Sequence, residues 1–259
     1  MAFESRGFTR VVEREWLVWR RLWRGSVFSY VFAPLLFLAA MGIGLGDLID
    51  KHQGTVQGLD YLEFITPGLM AASATMAAAA ESLWPVMFGV KWGGTYFAAV
   101  STPVEARDVY LGQLAWTGIR STMAATVFLA IAAVLGGVPS FWGLLAIPAA
   151  VLGALAIAAP LSAWAVERES DGAFSVVMRI VVFPLFLFSG TFFPVSRLPD
   201  WLEPVALLSP LYHAVELCRA ATTGDFAFFD NVANVAVLLA FVGVGVWWGE
   251  RTFRRVLSQ

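Results

Sequence analysis

The sequence predicts an all-α integral membrane protein, and three observations lead to that class. Of the 259 residues, 59% are hydrophobic and only 14% are charged, against roughly 45–50% and about 25% in an average soluble domain. The mean hydropathy is +0.72. Several apolar stretches reach the length of about 20 residues that a helix needs to cross a bilayer. A soluble core could not bury this much apolar surface, whereas lipid can surround it.

The first predicted element is an amphipathic helix over residues 8–24, which would lie in the cytoplasmic interface of the membrane. Its apolar and aromatic positions recur every three to four residues, with arginines on the remaining face: Val11, Val12, Trp16, Trp19 and Trp23. This pattern is typical of helices that lie along a membrane surface. The alternative is a plain flanking segment that only orients the first span.

Six apolar segments are predicted to span the bilayer. They lie at residues 27–46, 62–82, 114–136, 142–166, 173–190 and 230–249. The second segment is the weakest, because alanine dominates Ala71 to Ala80 and contributes little transfer free energy. Together the segments form one transmembrane domain over residues 1–259.

The segment 191–229 is predicted to form short re-entrant helices on the outer side, before the last span. It is too apolar for a free loop, and prolines interrupt it at Pro194, Pro199, Pro204 and Pro210. A non-helical backbone is tolerated at membrane depth only where protein surrounds it.

The distribution of Lys and Arg predicts a multi-pass protein of the cytoplasmic membrane with both termini in the cytoplasm. With this orientation, twelve basic residues fall on the inner side and three on the outer side. Basic residues in short loops favour the cytoplasm. Arg120 and Arg179 remain inside predicted spans.

Each arginine inside a span costs on the order of 2.5–3.5 kcal/mol at the bilayer centre, so Arg120 and Arg179 are candidates for function. Both are predicted about two turns from the cytoplasmic end of their spans, counting from the ends given above. Their guanidinium groups could extend to the interface along their apolar stems. The second hypothesis is that they face an inner-leaflet cavity and meet an anionic head group.

Several kinds of site are not expected. No Gly-rich phosphate loop with Gly-Lys-Ser or Gly-Lys-Thr occurs, so ATP hydrolysis by this chain alone is not predicted. One cysteine and two histidines offer too few ligands for a transition-metal site. No basic-aromatic stripe indicates nucleic acid, and no catalytic residue is predicted.

Four stretches carry a resemblance to a known family. Residues 183–202 read Phe-Pro-Leu-Phe-Leu-Phe-Ser-Gly-Thr-Phe-Phe-Pro-Val-Ser-Arg-Leu-Pro-Asp-Trp-Leu, and 209–219 read Ser-Pro-Leu-Tyr-His-Ala-Val-Glu-Leu-Cys-Arg. Residues 61–69 read Tyr-Leu-Glu-Phe-Ile-Thr-Pro-Gly-Leu, and 101–113 begin Ser-Thr-Pro-Val-Glu-Ala-Arg-Asp. These stretches resemble the membrane subunits of type-2 ABC exporters, and the overall length is most similar to the nodulation-type lipo-oligosaccharide exporters. The acidic residue that the family often has before the Thr-Pro is missing from residues 94–97.

The resemblance implies an ATP-driven export machine. Two permease copies, expected as a homodimer, would pair with two separate ATPase subunits that hold ATP and Mg, while this chain binds no cofactor. The residues expected to couple to the ATPase are Lys91, Thr95, Thr102, Pro103, Glu105, Arg107, Glu167, Arg168 and Glu169. The residues expected along the substrate path are Arg120, Arg179, Phe193, Pro194, Tyr212, His213 and Glu216.

The expected function is therefore that of a non-enzymatic permease subunit that exports an amphiphile: a lipid-linked saccharide, a lipid or a drug. Membrane lipids are expected as further partners. Two alternatives stay open at this stage, a membrane-embedded lipid-modifying enzyme and an assembly factor that transports nothing. An enzyme would need convergent polar groups at one membrane depth, and only isolated Arg and Glu residues are visible in the sequence.

Overall fold

The fold is a bundle of long helices joined by short helical segments. The computed structural model describes residues 4–46, 48–49, 54–225 and 227–258. Within those ranges the chain forms helices and one isolated β-bridge, between Val56 and Leu59, but no strand. The α-helices are α1 (Glu4–Phe37), α2 (Tyr61–Met87), α3 (Thr95–Val100), α4 (Ala106–Val134), α5 (Ala146–Ala165), α6 (Gly172–Val177), α7 (Phe183–Phe188), α8 (Glu203–Leu207), α9 (Pro210–Thr223) and α10 (Phe228–Leu257).

Within the described residues, four helices are long and apolar enough to cross a membrane. They cover Tyr61–Trp92, Ala106–Val134, Phe141–Ala165 and Phe228–Leu257. These helices coincide with the predicted spans at 62–82, 114–136, 142–166 and 230–249, and three of them are longer than the predicted segment. The extensions of α4 and α10 carry charged turns such as those with Arg107 and Arg254, whereas the extension of α2 over residues 83–92 is mostly apolar.

The first and fifth predicted spans have a different form. α1 is bent by 60° between Gly7–Gly25 and Tyr30–Gly42, and continues as a π-helix over Leu38–Leu45. The bend separates the predicted amphipathic helix 8–24 from the predicted span 27–46. The fifth prediction, 173–190, falls on the apolar helix Gly172–Phe188, which is shorter than the other spans. For these two segments, membrane crossing stays a prediction.

α2 lies at the centre of the bundle, where it packs most extensively against α5. Both helices bury many alanines: Ala71, Ala72, Ala74 and Ala78 on α2, and Ala146, Ala150, Ala154 and Ala158 on α5. Small side chains let two backbones approach closely inside a membrane. The alanine run that made this span the weakest in hydropathy is therefore the surface on which the bundle packs.

The connection between α2 and α4 corrects one expectation. The predicted spans 62–82 and 114–136 leave residues 83–113 as their connection, but α2 and its terminal π-turn run to Trp92 and α4 begins at Ala106. The beginning of α4 is set by a capping box, in which the backbone N–H of Glu105 donates to Asp108 Oδ2 at 3.2 Å. Such a reciprocal cap satisfies free N–H groups at a helix start.

The earlier beginning of α4 changes the position of Arg120. This residue lies fourteen positions after Ala106, which corresponds to about 21 Å along the helix axis. Arg120 therefore lies about four turns from the start of its helix, whose first turns precede the predicted span 114–136. Its depth in the membrane stays a prediction. Arg179 lies seven residues after Gly172, two turns from the start of its helix.

The segment 191–229 contains short helices, as its prolines indicated. A 3-10 turn over Val195–Arg197 precedes α8 and the amphipathic α9. Ser209 caps α9 by accepting a hydrogen bond from the backbone N–H of Leu211, and Pro210 occupies the first turn, where no N–H is needed. α9 packs against α2 and α5, so this segment is part of the bundle.

Candidate functional site

An ion pair joins α2 to α4 where both helices line a cavity. Arg120 Nη1 lies 3.0 Å from Glu81 Oε1, and Arg120 Nε donates a hydrogen bond of 3.0 Å to the hydroxyl of Tyr30 on α1. The side chains of Arg120 and Glu81 are 26% and 16% exposed. Pairing removes most of the cost of placing either charge in a membrane. Three helices therefore meet at one polar cluster, which we call the Glu81 cluster (Tyr30, Glu81 and Arg120).

A cavity of about 590 Å³ opens beside the Glu81 cluster. Its walls come from the amphipathic half of α1, from α2 with its terminal π-turn, from α3 and from α4. On the α1 side the cavity is lined by Arg14 and Glu15, whose side chains form an ion pair at 2.9 Å. Trp84, Trp92 and Trp116 supply aromatic surface. We call this space the α1 cavity.

Two glycines let α1 pack closely on α4 beside this cavity: Gly112 on α4 and Gly7 on α1 itself. A Cβ atom at Gly112 of α4 would lie 2.6 Å from the Cβ of Val11, so only glycine permits this approach. A Cβ atom at Gly7 of α1 would likewise overlap the carboxylate of Asp108. The amphipathic half of α1 therefore packs on the start of α4 and forms a wall of the cavity.

Three residues that line the α1 cavity, Tyr96, Gln113 and Glu81, are linked by hydrogen bonds. The hydroxyl of Tyr96 donates to Gln113 Oε1 at 3.3 Å, and Gln113 Nε2 donates to the backbone oxygen of Glu81 at 3.2 Å. Burial raises the pKa of Tyr96 well above its usual value, so the hydroxyl stays protonated and remains a donor. The chain links the short helix α3 to α2 and α4.

Ion pairs also gather at the end of the bundle where α4 begins and α10 ends. We call it the basic end (Arg107, Arg168, Arg254 and Arg255). Arg107 Nε lies 2.9 Å from Glu250 Oε1, and Arg255 pairs with Glu167. Arg168 lies over the ring of Trp164 at 5.0 Å. These contacts attach the last turns of α10 to α4 and to the turn after α5.

Most residues predicted to couple to an ATPase lie at or near the basic end. Lys91, Thr102, Pro103, Glu105 and Glu169 are exposed. Thr95 begins α3, and its hydroxyl oxygen is buried without a hydrogen-bond partner among the described residues. α3 packs on α10 through Tyr96, whose ring centroid is 6.0 Å from that of Phe253. The structure thus brings the predicted residues together on one surface, while their role stays a prediction.

The residues predicted along the substrate path fall in three separate places. Arg120 belongs to the Glu81 cluster, whereas Arg179 is exposed on the helix Gly172–Phe188 with no ion-pair partner among the described residues. The remaining five lie at the end opposite the basic end: Phe193, Pro194, Tyr212, His213 and Glu216.

Polar contacts organise that opposite end. His213 Nδ1 lies 2.7 Å from Asn234 Oδ1 of α10, and Nε2 lies 3.0 Å from the backbone oxygen of Leu207. Glu216 pairs with Arg219, which donates from Nη2 to the backbone oxygen of Gly190 at 2.8 Å. Arg219 also covers the ring of Phe64 at 4.5 Å. α9 is therefore connected to α2, α10 and the end of α7.

Two important residues were not singled out from the sequence. Glu81 ends the alanine run of α2, and Tyr30 lies in the predicted first span. A signal for Glu81 was present, because an arginine inside one span implies an acidic partner inside another. Arg219 lies in the segment 191–229, predicted to form short outer helices, and it is only 9% exposed. Its burial arises from the packing of α9, which no local sequence pattern shows.

Comparison with known proteins assigns the chain to a family. Residues 6–222 match the family described as ABC-2 type transporter. The chain is 27% identical to Nodulation protein J of Rhizobium leguminosarum bv. trifolii, over 98% of this chain and 95% of that protein. It is 29% identical to Nodulation protein J of Rhizobium meliloti (strain 1021), over 83% of this chain and 80% of that protein.

A more distant relative is named as a transport permease. The Inner membrane transport permease YadH of Escherichia coli (strain K12) is 22% identical, over 88% of this chain and 91% of that protein. The family match covers the α1 cavity, the Glu81 cluster and the segment up to the end of α9. The resemblance inferred from four sequence stretches is thereby confirmed: the chain belongs to the ABC-2 type transporter family.

Proposed function

We propose that this chain is the membrane-spanning subunit of an ATP-driven exporter that moves an amphiphilic molecule out across the cytoplasmic membrane. The observation that carries the proposal is the family match over residues 6–222. The similarity to Nodulation protein J over nearly the whole chain supports a lipid-linked oligosaccharide as the cargo class. Two copies of the chain would act with two separate ATPase subunits, which bind ATP and Mg.

The proposed arrangement in the membrane has six spans and both termini in the cytoplasm. The four long helices supply four crossings. The remaining two are the half of α1 after its bend and the helix Gly172–Phe188, supported by α8 and α9 on the outer side. With this arrangement the basic end lies in the cytoplasm, as the excess of Lys and Arg in short loops favours.

The basic end is the proposed ATPase contact. α3 is a short helix between two long ones, and the ion pairs Arg107–Glu250 and Arg255–Glu167 hold the neighbouring helix ends together. A push on α3 is transmitted through Tyr96 and Gln113 to the backbone of α2. Rigid packed elements of this kind can switch between discrete arrangements when a partner biases one of them.

The proposal is tested by copurification and transport. The chain is produced together with a candidate ABC ATPase subunit from the same organism, purified in a mild detergent and reconstituted into vesicles. We expect a stable complex and ATP-dependent accumulation of a lipo-oligosaccharide inside inverted vesicles. A matched control carries an ATPase whose phosphate-loop lysine is replaced, and it should bind this chain but transport nothing.

Two outcomes would contradict the proposal. Recovery of the chain without any ATPase under these conditions favours an assembly factor. Chemical modification of the lipid by the chain alone, without ATP, favours a membrane-embedded enzyme.

A variant that separates coupling from assembly is Phe97→Ala on the partly exposed face of α3. It should retain the bound ATPase and lose most transport, since the truncated side chain no longer transmits the contact.

A further inference from the structure

The α1 cavity holds equal numbers of positive and negative side chains. Arg14 pairs with Glu15 on α1, and Arg120 pairs with Glu81 across α4 and α2. A purely anionic ligand would approach two carboxylates, and a purely cationic one would approach two guanidinium groups. Neither gains from the cavity as a whole, whereas a ligand that carries both charges a short distance apart gains from both.

The ion pairs leave hydrogen-bonding capacity for such a ligand. A guanidinium has five N–H donors, and the two contacts of Arg120 described above use two of its nitrogens. A carboxylate can accept about four hydrogen bonds, and Glu81 is 16% exposed. The charged groups are therefore neutralised and partly accessible at the same time, which is the condition for adding a ligand without first breaking the pairs.

The aromatic walls favour a ligand with an ammonium group at a membrane surface. Phe88 and Trp92 are 50% and 56% exposed, and both line the cavity. Aromatic faces attract ammonium groups, and tryptophan is enriched at the depth of lipid head groups. The volume of about 590 Å³ lies within the range of small-molecule sites, roughly 300–1,000 Å³.

We propose that the α1 cavity binds the head group of a zwitterionic phospholipid, namely phosphatidylethanolamine. The phosphate accepts hydrogen bonds from Arg14 and Arg120, and the primary ammonium donates to Glu15 and Glu81. A primary ammonium has three N–H donors for these carboxylates, whereas the trimethylammonium of phosphatidylcholine has none. Phosphatidylethanolamine is therefore preferred over phosphatidylcholine, and both over the anionic phosphatidylglycerol.

A bound head group would connect α1 to the rest of the bundle. Two of the four charges belong to α1, and the other two belong to α2 and α4. Lipid binding thus holds the amphipathic half of α1 against α4, beside the contact of Val11 with Gly112. The inference goes beyond the proposed export, since it requires the folded chain and the lipid but neither ATP nor an ATPase.

The test measures lipid binding to the purified chain by native mass spectrometry. Phosphatidylethanolamine, phosphatidylcholine and phosphatidylglycerol with identical acyl chains are titrated separately. We expect the wild type to bind phosphatidylethanolamine about tenfold more tightly than phosphatidylglycerol, as the gain of one charge-assisted contact implies. Equal binding of all three lipids, or a preference for phosphatidylglycerol, would overturn the proposal.

Charge variants make the test specific to the cavity. Glu81→Gln leaves two guanidinium groups with one carboxylate, so the preference should move toward phosphatidylglycerol by about tenfold. Arg120→Gln should weaken phosphatidylethanolamine by about the same factor, through loss of a phosphate contact. The matched control is Arg254→Gln, an exposed arginine of the basic end outside the cavity, and it should bind as the wild type does.

A double variant covers the case in which either single variant fails to fold. Glu81→Gln combined with Arg120→Gln removes the pair without leaving an unpaired charge. It should bind phosphatidylethanolamine more weakly than the wild type by about tenfold and keep its preference over phosphatidylglycerol through Arg14 and Glu15. Wild-type affinity in this variant would show that the lipid binds elsewhere.

Discussion

At the scale of single residues, the Glu81–Arg120 pair determines how α2 meets α4. Each charge would be costly in the bundle without the other, because the two side chains are mostly removed from water. The hydroxyl of Tyr30 adds α1 to the same contact. Removal of one member leaves an uncompensated charge, whereas removal of both leaves two neutral amides that can still bond to each other.

We predict that Arg120→Gln destabilises the folded chain by about 3 kcal/mol, the cost of breaking a buried pair. Glu81→Gln combined with Arg120→Gln should lie within about 1 kcal/mol of the wild type. The free energy of unfolding is measured by denaturation in mixed micelles. Arg179→Gln serves as the control and should change stability by less than about 0.5 kcal/mol, since Arg179 is exposed. A double variant less stable than Arg120→Gln would contradict the pairing.

The residue scale also shows what the sequence could and could not predict. Arg120 was identified correctly as an unusual charge inside a span, because that inference needs only composition. Its helix is longer than the predicted span, since Arg107 and Asp108 already form the first turn of α4. Glu81 was overlooked because it follows an alanine run, and its partner lies thirty-nine positions away on another helix.

At the scale of helices, α10 depends on glycines where it crosses α4 and α5. A Cβ atom at Gly245 would lie 2.6 Å from the Cβ of Ala159 and 2.7 Å from Pro160. Gly249 faces the ring of Tyr110 in the same way. The hydroxyl of Tyr110 lies 2.9 Å from the backbone oxygen of Gly245 and 3.1 Å from that of Ala159. α4, α5 and α10 are therefore joined where Tyr110 meets small residues of the other two helices.

We predict that Gly245→Ala destabilises the chain by about 1–3 kcal/mol, because the added methyl group overpacks the crossing. Gly243→Ala is the matched control: it lies in the same helix, and a Cβ atom there meets nothing within 4 Å. That variant should be stabilised by about 0.5–1 kcal/mol, the usual gain from replacing glycine inside a helix. Thermal unfolding in detergent measures both. Equal effects of the two substitutions would refute the close crossing.

Helix boundaries were the least predictable feature at this scale. The apolar parts of the four long helices were located correctly from hydropathy, since lipid requires about 20 apolar residues. The polar turns at either end carry no such constraint, and they follow instead from caps such as the one formed by Glu105 and Asp108. The π-helical turns at Phe88–Trp92 and Met178–Val182 have no simple sequence pattern.

At the scale of the whole molecule, the orientation rests on the excess of basic residues at one end. The structure places Arg107, Arg168, Arg254 and Arg255 at that end. The only cysteine is Cys218, which is fully buried on α9, and burial raises the pKa of its thiol to about 12. A buried protonated thiol reacts slowly with maleimides, so an introduced cysteine can be labelled without removing the native one.

We predict that Ser196→Cys is labelled by a membrane-impermeant maleimide in intact spheroplasts, whereas Ser101→Cys is labelled only after lysis. Both serines are exposed, and they lie at opposite ends of the bundle. The unsubstituted chain is the control and should remain unlabelled in both conditions, because Cys218 is inaccessible. Labelling of Ser101→Cys before lysis would reverse the proposed orientation.

The fold class was predictable because it follows from composition, which leaves lipid as the only solvent for so much apolar surface. The packing of α9 was not, since Arg219 reaches Gly190 and Phe64 over separations of 29 and 155 residues along the chain. Such contacts depend on how the long helices are arranged. Local patterns in residues 209–219 cannot show them.

The many buried alanines of α2 and α5 have a consequence for how one helix can move relative to the other. An alanine side chain has no rotamers to lose or exchange, so the two helices can shift along each other without rearranging interlocked side chains. In a contact of leucines or phenylalanines, each shift would require many side chains to change conformation together. The alanine positions of α2 and α5 therefore add no rotamer barrier to a shift of one helix along the other.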